Sequence, residues 1–112
     1  MNKIPYDQRV RTYSNALLRF GKAIQLIVAL EELSECQKEV CKVMRGESNL
    51  DHLAEEIADA TIMLEQIRLI FAVDDLVCEK MDQKVTRLDD KLRKEAYGGL
   101  GKVGGVADAS RR

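Results

Sequence analysis

Two acidic clusters dominate the chemistry this chain can offer, Glu31-Glu32-Leu33-Ser34-Glu35 and Glu55-Glu56-Ile57-Ala58-Asp59. In each, two carboxylates are three residues apart, Glu32 with Glu35 and Glu56 with Asp59, a spacing that puts both on one face of an α-helix. At about 100° per residue, Glu32 and Glu35 share a stripe with Ile24 and Val28, and Glu56 and Asp59 share one with Met63 and Ile70. Acids that interrupt apolar stripes mark a partly buried site rather than a wetted surface. The two pairs are also equidistant from a point between Arg45 and Gly46. A turn there would fold the chain into an antiparallel hairpin with four carboxylates at one level. Four such anions repel one another and hold their protons more tightly unless cations neutralise them. Oxygen-only ligands suit a hard divalent ion, Mg2+ before Mn2+ or Ca2+, and the expected absence of His or Cys nearby argues against zinc.

Helices must position these groups. Aromatic residues make up 4% of the chain, and no segment alternates apolar and polar residues as a half-buried strand does. Val10, Tyr13, Leu17 and Phe20 recur at helical spacing from about Pro5 to Phe20, with Gly21 suited to a stop or break. Leu26, Leu30, Leu33, Val40 and Met44 form a second stripe from about Lys22 to Arg45, and Gly46 follows where a left-handed residue is wanted. Ser48 or Asn49 can cap a third helix with the heptad-like series Leu50, Leu53, Ile57, Ala60, Leu64, Ile67 and Phe71. Its second half is apolar on most sides, which places it at the centre of a bundle or in a subunit interface. Asp74 can cap a fourth helix, running to about Tyr97 with Val77, Met81, Val85, Leu88 and Leu92 on one face. The expected architecture is all-α and four-helix-bundle-like, with one helical domain over residues 1–97 and a flexible Gly-rich tail over 98–112.

Composition narrows the function. Charged residues are 33% of the 112, yet the formal net charge is -1, so no general attraction to nucleic acid or an anionic membrane is expected. Neither a signal-peptide core nor an apolar run of about 20 residues is present, which reads as a cytoplasmic protein. Cys36, Cys41 and Cys78 fit no disulfide framework or zinc pattern and are expected to be buried or half-buried free thiols. His52 is the single histidine, expected exposed in a first helical turn, and its isolation excludes His-His and Ser-His-Asp chemistry. No phosphate loop of the G-x-x-x-x-G-K type occurs.

The order Glu-Glu-x-x-Glu, a spacer containing a turn, then Glu-Glu-x-x-Asp resembles the signature of the all-α nucleoside triphosphate pyrophosphohydrolases. That superfamily includes MazG proteins, dimeric dUTPases, dCTPases and phosphoribosyl-ATP pyrophosphohydrolases. The stretches Phe20-Gly21-Lys22-Ala23-Ile24-Gln25 and Ile57-Ala58-Asp59-Ala60-Thr61-Ile62-Met63-Leu64-Glu65-Gln66 are similar to small MazG-like proteins of bacteria and their phages. The similarity spans about residues 13–92. The phosphoribosyl-ATP branch carries a Tyr-His pair soon after the second motif, whereas Ala60-Thr61-Ile62-Met63 follows Asp59 here, which disfavours that branch.

By position, the resemblance implies Glu32, Glu35, Glu56 and Asp59 as ligands for Mg2+, with Mn2+ as a substitute. Glu31 and Glu55 become orienting groups, and Glu35 also accepts a proton from the attacking water. The implied reaction hydrolyses a nucleoside triphosphate between the α and β phosphates. Lys84 and Arg87 match the family's basic positions for phosphate, three residues apart on one face. Gln25 and Asn15 are candidates to hydrogen-bond the base. No Trp is present, so the base preference of some dCTPase-like relatives does not carry over. The implied assembly is a homodimer or a dimer of dimers. The competing expectation is a non-catalytic helical dimerisation or adaptor module whose acids only solvate the bundle.

Overall fold

The glycines and caps named above do delimit helices. In the computed structural model, which describes residues 3–98, the elements are α1 (Tyr6–Phe20), α2 (Lys22–Met44), α3 (Leu50–Ile70) and α4 (Asp74–Gly98). The described residues are therefore all-helical, as expected. The chain divides into two compact units, Met1–Val73 with α1 to α3 and both acidic clusters, and Asp74–Arg112 with α4. The expected flexible tail, beyond Gly98 itself, lies outside the described residues.

Each joint has a local cause. Gly21 separates α1 from α2 at φ 89° and ψ 154°, a region only glycine enters without a cost of order 1–3 kcal/mol. No atom lies within 4 Å of where a Cβ would stand, so the constraint there is purely conformational. At the end of α2, Gly46 adopts φ 73°, with its N–H donating to Val43 O and the Glu47 N–H to Lys42 O. This pair of bonds satisfies the last carbonyls of the helix and reverses the chain. Asn49 then caps α3, its Oδ1 accepting from the His52 N–H at 2.8 Å, which selects Asn49 from the two candidate caps. The end of α3 repeats the α2 pattern without glycine: Ala72 sits at φ 53°, and Ala72 N–H and Val73 N–H donate to Leu69 O and Arg68 O. A left-handed alanine costs roughly 1 kcal/mol, which is why composition offered no stop signal here.

Within the first unit α2 packs along α3, and α1 lies against α2. The hairpin is antiparallel over its whole length. Near its open end Lys22 Nζ lies 5.1 Å from the centre of the Phe71 ring, and one turn inward Gln25 Nε2 donates to Gln66 Oε1 at 2.7 Å. Close to the turn, His52 Nε2 is 3.3 Å from Glu39 Oε1. Gln25 with Gln66 and Glu39 with His52 are equidistant from the same point between Arg45 and Gly46 that relates the acidic pairs.

This register decides which stripe of α3 meets α2. Among the described residues the buried side chains are Tyr13, Ala29, Ala60 and Met63, together with Gln25, Glu39 and Gln66. Of the cysteines expected to be covered, Cys36 is half-buried, but Cys41 and Cys78 are exposed. Of the heptad series on α3 only Ala60 is buried; Leu53 and Ile67 are half-buried, and Leu50, Ile57, Leu64 and Phe71 are exposed. The seam facing α2 is the polar one through Asp59, Met63 and Gln66, so the leucine and isoleucine series is left on another face.

One polar link ties α1 to α3. Tyr13 Oη donates to Glu65 Oε1, while Arg9 Nη2 reaches Glu65 Oε2 at 3.1 Å. Burial, with the Glu65 hydrogen bond and charge adding to it, pushes the Tyr13 phenol up to about 12 from 10.0. A folded-state value above the unfolded one means that this link stabilises the fold fully below pH 10 and less as pH rises through 12. Tyr13→Phe should therefore cost about 1–2 kcal/mol near neutrality. Urea melts at pH 8 and pH 11.5 should show the gap between the two proteins narrowing at the higher pH; a constant gap would contradict it.

Candidate metal centre

The hairpin register determines which acids meet. Glu32 on α2 and Asp59 on α3 occupy equidistant positions, and Glu56 stands one turn before Asp59 on the same face. One carboxylate oxygen from each of Glu32, Glu56 and Asp59 lies within 4.8 Å of the others. Glu32 and Glu56 are half-buried and Asp59 is exposed, so the cluster sits at the rim of the seam, dry on one side and open to solvent on the other.

Electrostatics follow from that position. Burial raises the pKa of Glu32 above its usual 4.5, and the negative charges of Asp59, Glu56, Glu35 and Glu31 raise it further. Both effects disfavour the ionised form, and a cation at the cluster would relieve the repulsive one. The donor set, three carboxylates from two helices, is that of a hard divalent cation such as Mg2+ or Mn2+. The residues present thus fit the ion that the spacing implies.

The other sequence-derived candidates are distributed as follows. Glu35 is outside the trio: its carboxylate is exposed, with Lys38 Nζ 3.6 Å away. Glu31 is exposed, and Glu55 Oε2 is 3.8 Å from His52 Nδ1. Gln25 is buried with its amide bonded to Gln66, and Asn15 is exposed on α1. Lys84 and Arg87 are exposed on α4, in the second unit.

Two residues next to the cluster escaped the sequence reading. His52 was expected to be an isolated surface histidine, yet its Nε2 is 3.9 Å from Glu56 Oε1, so a nitrogen donor does stand near the acids. His52 is about half exposed, and besides Glu55 and Glu56 it neighbours Glu39, whose side chain is only 4% exposed. Ser48 Oγ, in the turn, donates to Glu39 Oε2, so its hydroxyl is spent on a carboxylate rather than on the imidazole. A signal was present: the symmetry that relates Glu32 to Asp59 also relates Glu39 to His52.

The fold and site together define an all-helical protein with a carboxylate cluster on an antiparallel helical hairpin. Comparison with known proteins takes the identification no further, since no family model, no curated protein and no solved structure matches this chain significantly. No helix among the described residues is long and apolar enough to cross a membrane.

The cluster itself makes a stability prediction. With its folded-state pKa raised, ionised Glu32 opposes folding; that opposition is absent below its unfolded value of 4.5 and grows as pH rises through the folded value. In chelator at pH 7, Glu32→Gln should melt above the parent protein, and the advantage should vanish below about pH 4.5. A variant that melts lower at pH 7 would show that Glu32 is stabilised in the apoprotein by something other than a cation.

Proposed function

We propose that this chain is a cytoplasmic, Mg2+-dependent nucleoside triphosphate pyrophosphohydrolase of the MazG type. It hydrolyses a nucleoside or deoxynucleoside triphosphate between the α and β phosphates, releasing a monophosphate and pyrophosphate. The observation that carries this reading is the convergence of Glu32, Glu56 and Asp59 from two helices, in the residue order of the Glu-Glu-x-x-Glu and Glu-Glu-x-x-Asp motifs. Glu32, Glu56 and Asp59, joined by Glu35, would hold Mg2+, which when bound supplies charge neutralisation for the triphosphate and acidifies an attacking water. Glu35 accepts the proton from that water; its open, solvent-reached carboxylate suits a group that must receive and release protons. Glu31 and Glu55 orient the ligands. Carboxylates cannot hold phosphate oxygens unaided; the resemblance assigns that role to Lys84 and Arg87, and Asn15 and Gln25 are the candidates to hydrogen-bond the base, Gln25 by exchanging its bond to Gln66.

The same chain is a homodimer or a dimer of dimers in this reading. Leu18, Leu30 and Met44 are 85%, 69% and 83% exposed, and Ile24, Ile27, Leu64 and Phe71 are also open to water. Burying such a side chain gains roughly 1.5–3 kcal/mol, and exposed apolar patches mark association surfaces. That exposure equally favours a second reading, a non-catalytic helical dimerisation or adaptor module, and the two part company on turnover.

Turnover should require Mg2+ or Mn2+, yield pyrophosphate, and vanish in excess chelator. Loss of outer partners of a metal site already costs 10–100-fold, so Glu32→Gln and Asp59→Asn should each lower turnover by about 100-fold or more with the helical content intact. Release of orthophosphate with a diphosphate, or no release across a panel of canonical and modified triphosphates, would contradict the reading. Sedimentation equilibrium at micromolar concentration should give at least twice the 12.7 kDa of the chain; a compact, fully active monomer would refute the association.

A further inference from the structure

Glu39 is the costliest side chain in the first unit to leave unexplained. It is a carboxylate 3% exposed, and burial of an acid is unfavourable unless its oxygens are engaged. Both are. Oε2 accepts from Ser48 Oγ, and Oε1 faces His52 Nε2 at 3.3 Å. The same imidazole nitrogen is 3.9 Å from Glu56 Oε1, and its Nδ1 is 3.8 Å from Glu55 Oε2. His52 and Glu56 are four residues apart on α3 and would meet on any straight helix, but the imidazole alone has several staggered orientations open to it. Glu39 comes from the other helix. It stands at the position related to His52 by the hairpin symmetry, and Ser48 holds it from the turn.

We propose that Glu39 and His52 form a positioning pair for the metal-binding carboxylate Glu56, with Glu39 fixing the imidazole and the imidazole fixing Glu56. This rests on the reading of Glu32, Glu56 and Asp59 as a divalent-cation site. Neither residue touches the substrate or the reacting atoms in this scheme; both act through Glu56. Partners of this kind in metal sites orient the ligand, and their loss typically weakens metal binding 10–100-fold. A purely structural role, with Glu39 serving only to hold Ser48 and close the turn, predicts lost stability with unchanged affinity of the folded protein for the ion.

The test is direct binding of Mn2+ to the full chain, read as free Mn2+ by electron paramagnetic resonance, with folding checked by circular dichroism in chelator. His52→Ala should weaken Mn2+ binding about tenfold or more. Glu39→Leu should weaken it comparably, whereas Glu39→Gln, whose single amide oxygen can still face His52 Nε2 while its NH2 donates to the Ser48 hydroxyl oxygen, should recover most of the affinity. Because Glu39 acts through His52, the double variant Glu39→Leu, His52→Ala should bind Mn2+ no more weakly than His52→Ala alone. Should Glu39→Leu fail to fold, His52→Ala and Glu39→Gln still decide. Unchanged or tighter Mn2+ binding by His52→Ala overturns the proposal while leaving the carboxylate site standing, as does multiplication of the two effects in a folded double variant. A parent chain that binds no Mn2+ overturns both the pair and the site on which it rests.

Discussion

The antiparallel register of α2 against α3 is the constraint from which the other features of the first unit follow. Helices joined by a short turn bring together residues equidistant from it, and the turn here is set by Gly46, whose left-handed backbone closes α2, and by Asn49, whose side chain opens α3. With that symmetry in place, Gln25 meets Gln66, Glu32 meets Asp59 and Glu39 meets His52. The three α2 members are seven residues apart, as are the three α3 members, so they lie along one seam, about 10 Å per interval at 1.5 Å per residue. A shift of one residue would turn the acids away from one another.

A seam built this way sacrifices burial energy. Seam positions between packed helices are ordinarily apolar, and here Met63, Ala29 and Ala60 are what remains of that lining. The polar groups that replace it are engaged, the two glutamines with each other and Glu39 with Ser48 and His52, which avoids the larger penalty of an unmatched buried group. Gln25 and Gln66 also favour one register over its neighbours, because sliding by a turn would leave both amides buried without a partner. The hairpin therefore trades hydrophobic gain for specificity of alignment. The large apolar side chains that do not fit between the helices, such as Leu30 and Leu64, face outward and become available for association.

How much of this was legible depended on which physical signal each feature leaves in a sequence. Helix boundaries at Gly21, Gly46 and Asn49 were readable because a left-handed backbone and a capping oxygen demand particular residue types. The stop at Ala72 was not, since alanine has no preference for that conformation and is held there by the carbonyls of Arg68 and Leu69. The pairing of Glu32 with Glu56 and Asp59 was readable from spacing about the turn. Which stripe of α3 faces α2 was not legible: the regular series from Leu50 to Phe71 suits a bundle centre or a subunit interface, but periodicity does not say which of two stripes faces the neighbour. The partner helix decides that, and α2 presents its polar stripe. Glu39 and His52 were missed for a related reason. His52 was judged alone, as a helix-start histidine, and Glu39 was not singled out, although the symmetry already applied to the acids pairs them.

Placing carboxylates in the seam also sets the capacity to hold a cation against stability within the same few residues. The burial and the repulsion that raise the Glu32 pKa are costs borne by the folded chain, because in the unfolded chain these acids are hydrated and separated. Any cation that binds only the folded arrangement returns that free energy in proportion to its occupancy. A hairpin whose seam were wholly apolar would be more stable and inert. One whose seam carried these acids with no register-fixing pairs on either side would have little to hold them at one level. Gln25 with Gln66 on one side and Glu39 with His52 on the other bracket the repulsive layer with engaged polar contacts. The alignment of the acids is thereby borne by residues that do not themselves belong to the cluster, and the cluster can remain partly open to solvent without the helices sliding to relieve it.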